Sequence, residues 1–395
     1  MDNPYKNITS NCCSCGACMN VCPKKAIRIS KDKLGFTFPF IDKQLCNRCM
    51  KCVSVCDFQK DANNGNTPKI TYIAQNKNSD DLISSSSGGI FIYFAKKVTN
   101  DDGVVFATVN DKKNNVFHTS TNNIDQLKLM QGSKYVQSDI QFSYKKIRKM
   151  LEDGIYVMFV GTPCQVAGLN SYLNKDYINL LSLDIVCHGV PSLAFLKDYL
   201  KLCEQKYSID VHDIKFRSKN IDWNHSLSNL VLNDNKFIPT NKSYYYTYFL
   251  KGKIYRESCY KCKYANEYRQ GDITIGDYWG IEKVHPDINS YIDCSKGVSL
   301  LTVNTKKGEK FLNQNKDGLF LMKTDFDKAK QYNGQLCHPT LRPKDRDKIM
   351  DIYLRKGTKG LNRYFKLTNY PKLYLSRIVP PQIKKVLKKI ITNFS

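Results

Sequence analysis

The sequence is poor in the features that usually announce a function. It has six histidines and two tryptophans in 395 residues. No histidine stands out as a catalytic acid. His188 reads either as a proton relay beside Cys187 or as an ordinary strand-end histidine. Apolar runs are short. Ile155 to Val160 falls far below the roughly 20 residues of a membrane-spanning helix. The opening residues, "MDNPYKNITSN", lack the apolar core of a secretory signal, so a cytoplasmic location is expected. Neither G-x-G-x-x-G nor G-x-x-x-x-G-K-[ST] occurs, which argues against a Rossmann dinucleotide site and a P-loop enzyme. No solenoid-type repeat is visible.

What is abundant is cysteine and positive charge. Apolar residues make up 42% of the chain, enough for a globular core. Sixteen cysteines in a cytoplasmic chain are expected to be thiols or metal ligands rather than disulfides. The formal charge is +25. Such a surface suits nucleic acid, anionic lipid, phosphorylated substrates or an acidic protein, and charge alone does not choose among them. Residues 342–395 hold fifteen Lys/Arg against three Asp, so about half of the excess lies in the tail. No nucleic-acid module is recognisable, and no nucleic-acid partner is expected.

The cysteines are patterned. Cys12, Cys15, Cys18 and Cys22 precede Pro23 with C-x2-C-x2-C-x3-C-P spacing. Cys46, Cys49, Cys52 and Cys56 repeat the spacing, with Asp57 in place of the proline. Two such runs mark a two-cluster bacterial ferredoxin. Three thiolates of one run hold a cubane, and the fourth reaches across to the other. One cluster is therefore assigned to Cys12, Cys15, Cys18 and Cys56, the other to Cys46, Cys49, Cys52 and Cys22. Zinc also takes C-x2-C pairs but does not require the crossed run. Cys13 is a spare thiol.

Past residue 60 the chain turns polar and linker-like, with a short strand-like "KITYIA". The body then alternates strand-like runs ("GVVFATV", "IYVMFV", "INLLSLDIV", "GVSLLTVNT") with helical stretches near 90–98, 142–152, 164–174, 191–205 and 307–315. The Ser84–Gly89 loop opens an apolar helix, and reads as a pyrophosphate cradle or as a serine-capped helix. Lys134 in "MQGSKYVQS" reads as a phosphate or carbonyl contact, or as a solvated loop lysine. "GDITIGDYWG" reads as a loop against a flat ring, or as a hairpin with a buried tryptophan. Asp272 and Asp277 fit either proton transfer or turn capping. Cys164, Cys187 and the Cys259/Cys262 pair can make a four-thiolate site, or Cys164 is a buried structural thiol.

These stretches occur in order: "SSSSGGIF", "GSKYVQS", "GTPCQVAGL", "DIVCHGVPS" and "CYKCKYANEYRQGDITIGDYWG", behind the ferredoxin runs. Together they resemble the coenzyme F420 hydrogenase/dehydrogenase beta-subunit family, from about residue 8 to about residue 320. The resemblance implies a third [4Fe–4S] cluster on Cys164, Cys187, Cys259 and Cys262. It implies FAD near Ser86, Ser87, Gly88, Gly89, Lys134, Asp272, Thr274 and Asp277. The expected fold is α+β: a two-cluster ferredoxin domain (1–60), a linker (61–85), a mixed α/β flavin and iron–sulfur domain (86–340) and a basic extension (341–395). The expected function is electron transfer between clusters and hydride chemistry at FAD, with a redox protein or hydride carrier as partner. The alternative is an electron-relay subunit without a substrate site. The tail "PPQIKKVLKKIITNF" puts Ile383, Val386, Leu387 and Ile390 on one helical face. It either packs on the body or touches a membrane peripherally. Membrane contact would suit a lipid-linked substrate, as in envelope glycan assembly.

Overall fold

Short runs bounded by polar turns become strands, and the inner ones of the central sheet are buried on both faces. In the computed structural model, which describes residues 11–60, 65–219, 223, 229–233 and 235–378 (side chains to 369), these strands are β1 (Ile27–Lys31), β2 (Thr37–Ile41), β3 (Ile70–Asn76), β4 (Val104–Asn110), β5 (Val116–Thr121), β6 (Val157–Gly161), β7 (Leu180–Ile185), β8 (Ile214–Ser218), β9 (Asn229–Leu232), β10 (Lys236–Pro239), β11 (Ile273–Asp277), β12 (Ser299–Val303) and β13 (Leu319–Thr324).

Eight of them form one sheet in the order β13-β3-β12-β11-β7-β6-β4-β5. The β4-β6-β7-β11 stretch is parallel, and β12 runs against both β11 and β3. It follows that β3, β4, β6, β7 and β11 all point the same way, so their carboxyl ends share one edge. Side chains alternate across this sheet. Val105, Ala107, Met158 and Val160 join one core with the helix Ile90–Asn100. Val104, Phe106, Val157 and Phe159 join the opposite core with the helices Ser143–Glu152 and Pro163–Leu173. A period of two in burial, with both faces covered, is what a central mixed sheet demands. A separate three-stranded sheet has the order β10-β9-β8.

The ferredoxin segment contains the antiparallel hairpin β1-β2 and two short helices, Ala17–Val21 and Lys51–Ser54. Its two cysteine runs repeat in conformation as well as in spacing. Ser14 and Gly16 have φ of 56° and 79°; the equivalent Arg48 and Met50 have 57° and 60°. Left-handed backbone costs a non-glycine residue about 1 kcal/mol. Here it turns amides toward sulfur: the Ser14 N–H donates to Cys12 Sγ (3.2 Å) and the Arg48 N–H to Cys46 Sγ (3.4 Å).

The ferredoxin segment is welded to the body. Ala17 and Val55 belong to the same core as Phe159 and Leu169. Arg256, 2% exposed, donates to the Cys12 carbonyl (3.2 Å), the Thr37 carbonyl (2.9 Å) and Gln137 Oε1 (2.6 Å). The Tyr144 hydroxyl reaches the Cys15 carbonyl (2.8 Å), and Tyr264 donates to Asp57 Oδ2 (2.7 Å).

The expected linker over 61–85 is not one along its whole length. Residues 70–76 form β3, hydrogen-bonded between β12 and β13, and a helix follows at Ser79–Ser84. Ile73 and Ala74 are fully buried, which makes this segment part of the sheet's interior.

After Pro343 the chain enters a second unit. Its helical stretch Arg346–Ile378 is broken at Gly357, whose φ is +58°. The expected basic amphipathic segment around Ile383–Ile390 lies outside the described residues. Among the described residues no helix is long and apolar enough to cross a membrane.

Candidate functional site

The carboxyl edge of the sheet gathers the chemistry, as open α/β sheets tend to do. Cys164 follows β6, Cys187 follows β7, Asp277 ends β11, and the Ser84–Gly89 loop lies beyond β3. Between them is a cavity of about 440 Å³. Its lining includes four of the seven cysteines beyond residue 60, Cys164, Cys187, Cys259 and Cys262. The local folding that positions Cys164 is a capping box. Thr162 caps the helix Pro163–Leu173, Gln165 reaches back to it, and Pro163 takes the first helical turn. The Thr162 hydroxyl lies 3.1 Å from Cys164 Sγ and 3.1 Å from Gln165 Oε1.

Two smaller cavities lie in the ferredoxin segment. One is lined by Cys12, Cys15, Cys18 and Cys56, the other by Cys22, Cys46, Cys49 and Cys52. The fourth cysteine of each run thus crosses to the other group. Cys13 lines both the first of these and the large cavity. Among the described residues no His, Cys, Asp and Glu side chains are grouped to hold a single metal ion; the thiols stand around three cavities instead.

The electrostatics of these thiols bear on what they can hold. Burial pushes Cys12 and Cys262 up to about 12 and Cys187 well above its ordinary value. Cys164 departs in the other direction, down to about 7. The hydrogen bond from Cys13 is the first cause, and that from Thr162 assists. Burial and neighbouring thiols likewise oppose ionisation of Cys18, Cys52 and Cys56, so these clustered thiols fit a bound metal core, which supplies the compensating positive charge. An all-sulfur donor set suits a soft metal core, an iron–sulfur cluster or zinc.

The rest of the large cavity is built from small residues and one charged pair. Ser85, Ser86, Ser87 and Gly89 line it, facing Gly132 and Ser133. Ser86 Oγ accepts from the Ser133 N–H at 2.7 Å and ties the two loops together. Gly89 caps the helix Ile90–Asn100 with φ of 77° and offers no side-chain acceptor to its first amides. On another wall Arg217, on β8, donates to Asp277 Oδ2 (2.7 Å) and to the Trp223 carbonyl (2.6 Å). Trp223 and Trp279 stack at 4.9 Å, with planes 5° apart. The Arg217 guanidinium lies 5.8 and 5.4 Å from their centroids. Arg217 Nε and Asp277 Oδ1 are buried without a hydrogen-bond partner in the structure.

Not every expected cofactor residue reaches this cavity. Ser86, Ser87, Gly89, Lys134 and Asp277 line it. Asp272 and Thr274 are not among its lining residues. The Asp272 carboxylate accepts from the Ser182 N–H and hydroxyl (both 2.8 Å) and from Thr305 Oγ1 (2.7 Å). The Thr274 hydroxyl donates to the fully buried Asp184. Both residues fasten strands to one another. Gly88 is likewise behind the wall: a Cβ there would lie 2.5 Å from the Ala74 carbonyl. Lys134 lines the cavity, but its ammonium donates to the Met130 and Gln131 carbonyls (2.9 and 2.8 Å) at the end of the helix Ile124–Met130. It is a helix cap as well as a wall. His188 is exposed and lines the cavity. Arg217 and Trp223 were not anticipated. Neither sits in a patterned stretch, and only the rarity of tryptophan marks the latter.

With the geometry described, relatives can be compared. Residues 156–328 match the family model for the carboxyl terminus of the coenzyme F420 hydrogenase/dehydrogenase beta subunit, and residues 5–28 match a 4Fe-4S binding domain. Over that stretch the chain is similar to the carboxyl-terminal domain of the F420 hydrogenase/dehydrogenase beta subunits. The two matches place a 4Fe-4S-like segment ahead of a beta-subunit-like stretch in one chain. Its mixed α/β body behind an N-terminal 4Fe-4S segment has the expected fold class. Among solved structures, a chain of the F420-reducing [NiFe] hydrogenase complex from Methanosarcina barkeri, studied by xenon derivatization, is similar at 13% identity. That match covers 77% of this chain and 93% of the other, with a TM-score of 0.45. No curated protein matches the sequence.

Proposed function

We propose that this beta-subunit-like chain is a flavin- and iron–sulfur-dependent oxidoreductase with three [4Fe–4S] clusters and one FAD. The observation that carries the reading is the series of cavities. Cys22, Cys46, Cys49 and Cys52 would hold the outer cluster. Cys12, Cys15, Cys18 and Cys56 would hold the next. Cys164, Cys187, Cys259 and Cys262 would hold the third, in the wall of the large cavity. Cys13, which lines two of the three cavities, supports a continuous route.

FAD would occupy the large cavity. Its bound form supplies the exchange between single electrons and a hydride. The chain's own residues do the rest. The uncapped amides at Gly89–Phe91 and the Ser86 and Ser87 hydroxyls are suited to a pyrophosphate. The Arg217–Asp277 pair presents an unpartnered N–H and an unpartnered carboxylate oxygen, one donor and one acceptor to a polar ring edge. Thr162 hydrogen-bonds to Cys164 and, with Cys13, favours its thiolate form. A hydride carrier or a redox protein is the external partner. A lipid-linked substrate of envelope glycan assembly, with peripheral membrane contact by the tail, belongs to the same reading and is tested by liposome flotation with and without residues 380–395.

The deciding experiment is anaerobic purification with iron, acid-labile sulfide and released flavin measured per chain. About twelve irons and one FAD are expected. About eight irons without flavin would leave an electron-relay subunit in which Cys164 is structural.

A further inference from the structure

The cavity of Cys22, Cys46, Cys49 and Cys52 is lined by the ferredoxin segment alone. Every residue that lines it comes from positions 22–52, whereas its neighbour shares Cys13 with the large cavity. Cys49 is exposed there. Beside it stand two apolar side chains left in water, Leu45 at 47% exposure and Met50 at 39%. Around them are the exposed cations Lys24, Lys25, Arg48 and Lys51, of which Lys24 and Lys51 line the cavity itself. Among the described residues none of the four is paired with a carboxylate. The nearby Asp42 is half-buried and faces Arg28 at 3.5 Å. A small apolar centre, an exposed thiolate ligand position and a rim of one sign make a recognisable kind of surface. It suits brief, charge-steered contact between electron carriers.

We propose that Lys24, Lys25, Arg48 and Lys51, around Leu45 and Met50, form the docking surface for a small acidic one-electron carrier protein. In the docked pair one electron passes between the carrier and the cluster at Cys22, Cys46, Cys49 and Cys52. The carrier is oxidised by one electron as the cluster is reduced, or the reverse, and no bond is made or broken. The inference rests on reading those four cysteines as a cluster site. It does not depend on flavin.

The surface has a competing explanation. The same cations would offset the negative charge of a bound cluster and set its potential without touching a partner. The two explanations separate in a binding measurement.

The test uses anaerobically prepared holoprotein and a fluorescently labelled acidic two-cluster ferredoxin as probe. Anisotropy gives the affinity, and stopped-flow absorbance gives the rate of cluster reduction. For Lys24→Glu/Arg48→Glu/Lys51→Glu, affinity at about 50 mM salt should fall at least about tenfold, and the difference should shrink at about 500 mM. A control with the same kind of reversal on a remote helix, Lys306→Glu/Lys310→Glu, should bind like wild type. Reduction by the small methyl viologen radical should not slow in either variant. If the triple reversal lowers yield, the neutral Lys24→Gln/Lys51→Gln pair gives the same comparison with a smaller loss. An unchanged affinity overturns the proposal, as does a shifted cluster potential with unchanged affinity. Iron analysis keeps the two readings apart. Protein that lacks iron in the ferredoxin segment fails the cluster reading before any binding is measured; iron-replete protein with unaltered affinity fails the docking surface alone.

Discussion

Cys13 and Cys164 line the same large cavity, and Cys13 also lines the ferredoxin cavity beside Cys15. A residue that the ferredoxin spacing leaves over therefore stands beside a thiol of the ferredoxin segment and a thiol of the body. It is buried, and Gln137 Nε2 holds its carbonyl at 3.0 Å. The first prediction concerns this contact. Cys13→Ala should leave iron near twelve atoms per chain but move the body cluster to a more negative potential, because a hydrogen bond to a ligating sulfur stabilises the added electron. Cys13→Ser should recover part of the shift. Potentiometric titration followed by EPR measures it; a loss of about four irons would instead make Cys13 a ligand.

Removal of a body cysteine tests the third site directly. Cys187→Ala or Cys262→Ala should take iron from about twelve to about eight per chain and leave the ferredoxin pair intact. Iron and acid-labile sulfide, with the EPR signal of the remaining reduced clusters, check the outcome. Unchanged iron would show that the four body cysteines serve packing alone.

Arg256 is the buried pin between the ferredoxin segment and the body. Besides its hydrogen bonds, its guanidinium lies 5.2 and 4.9 Å from the ring centroids of Phe36 and Phe38. Arg256→Met keeps the volume but strands the Gln137 oxygen and removes a donor from the Thr37 and Cys12 carbonyls, the latter keeping the Ser258 hydroxyl at 3.1 Å. A loss of about 3 kcal/mol or more is expected, at 1–3 kcal/mol for each buried group left unpaired. Thermal unfolding of the anaerobic holoprotein reads it. Arg256→Lys should lie between the two, since an ammonium lacks the planar fork.

Much of this architecture was legible, and the exceptions share a cause. The runs "GVVFATV", "IYVMFV" and "INLLSLDIV" form β4, β6 and β7 to within a few residues, because strands covered on both faces must be apolar throughout. The crossed cysteine spacing is equally local, and the structure groups those cysteines as the spacing implies. Harder cases depend on partners distant in sequence. β8, "IKFRS", sets a buried arginine beside Phe216 and joins a small sheet of its own, so no apolar run marks it. Asp272 and Asp277 look alike within "GDITIGDYWG", yet only Asp277 meets the cavity. What separates them is Ser182 and Thr305 on one side and Arg217 on the other, each at least 33 residues away. Arg256 and Arg217 have no local signature for the same reason.

The last prediction is a pH dependence set by His118. This side chain is 1% exposed on β5 and stacks on Phe159 at 5.4 Å. Nε2 lies 3.0 Å from the Val160 carbonyl and Nδ1 3.1 Å from Ser138 Oγ. Ser138 in turn accepts from Gln165, which closes the capping box that carries Cys164. Burial drives the imidazole down to about 4, with Lys134 adding to the shift and the Val160 carbonyl opposing it. Above pH 6.5 the ring is neutral both folded and unfolded, and contributes no pH dependence. Between 6.5 and 4 the unfolded chain takes a proton that the folded chain refuses, so stability falls as pH falls. Below 4 the slope ends. At 1.36 kcal/mol per pH unit the full loss is roughly 3 kcal/mol. His118→Gln can keep the donor to Val160 without a titrating group, so its thermal midpoint should decline less between pH 7 and pH 4.5. Acid lability of the clusters is common to both proteins and cancels in the comparison. Parallel midpoint curves for variant and wild type would show that His118 is not the group that titrates, and that the strand end beneath Cys164 is insensitive to it.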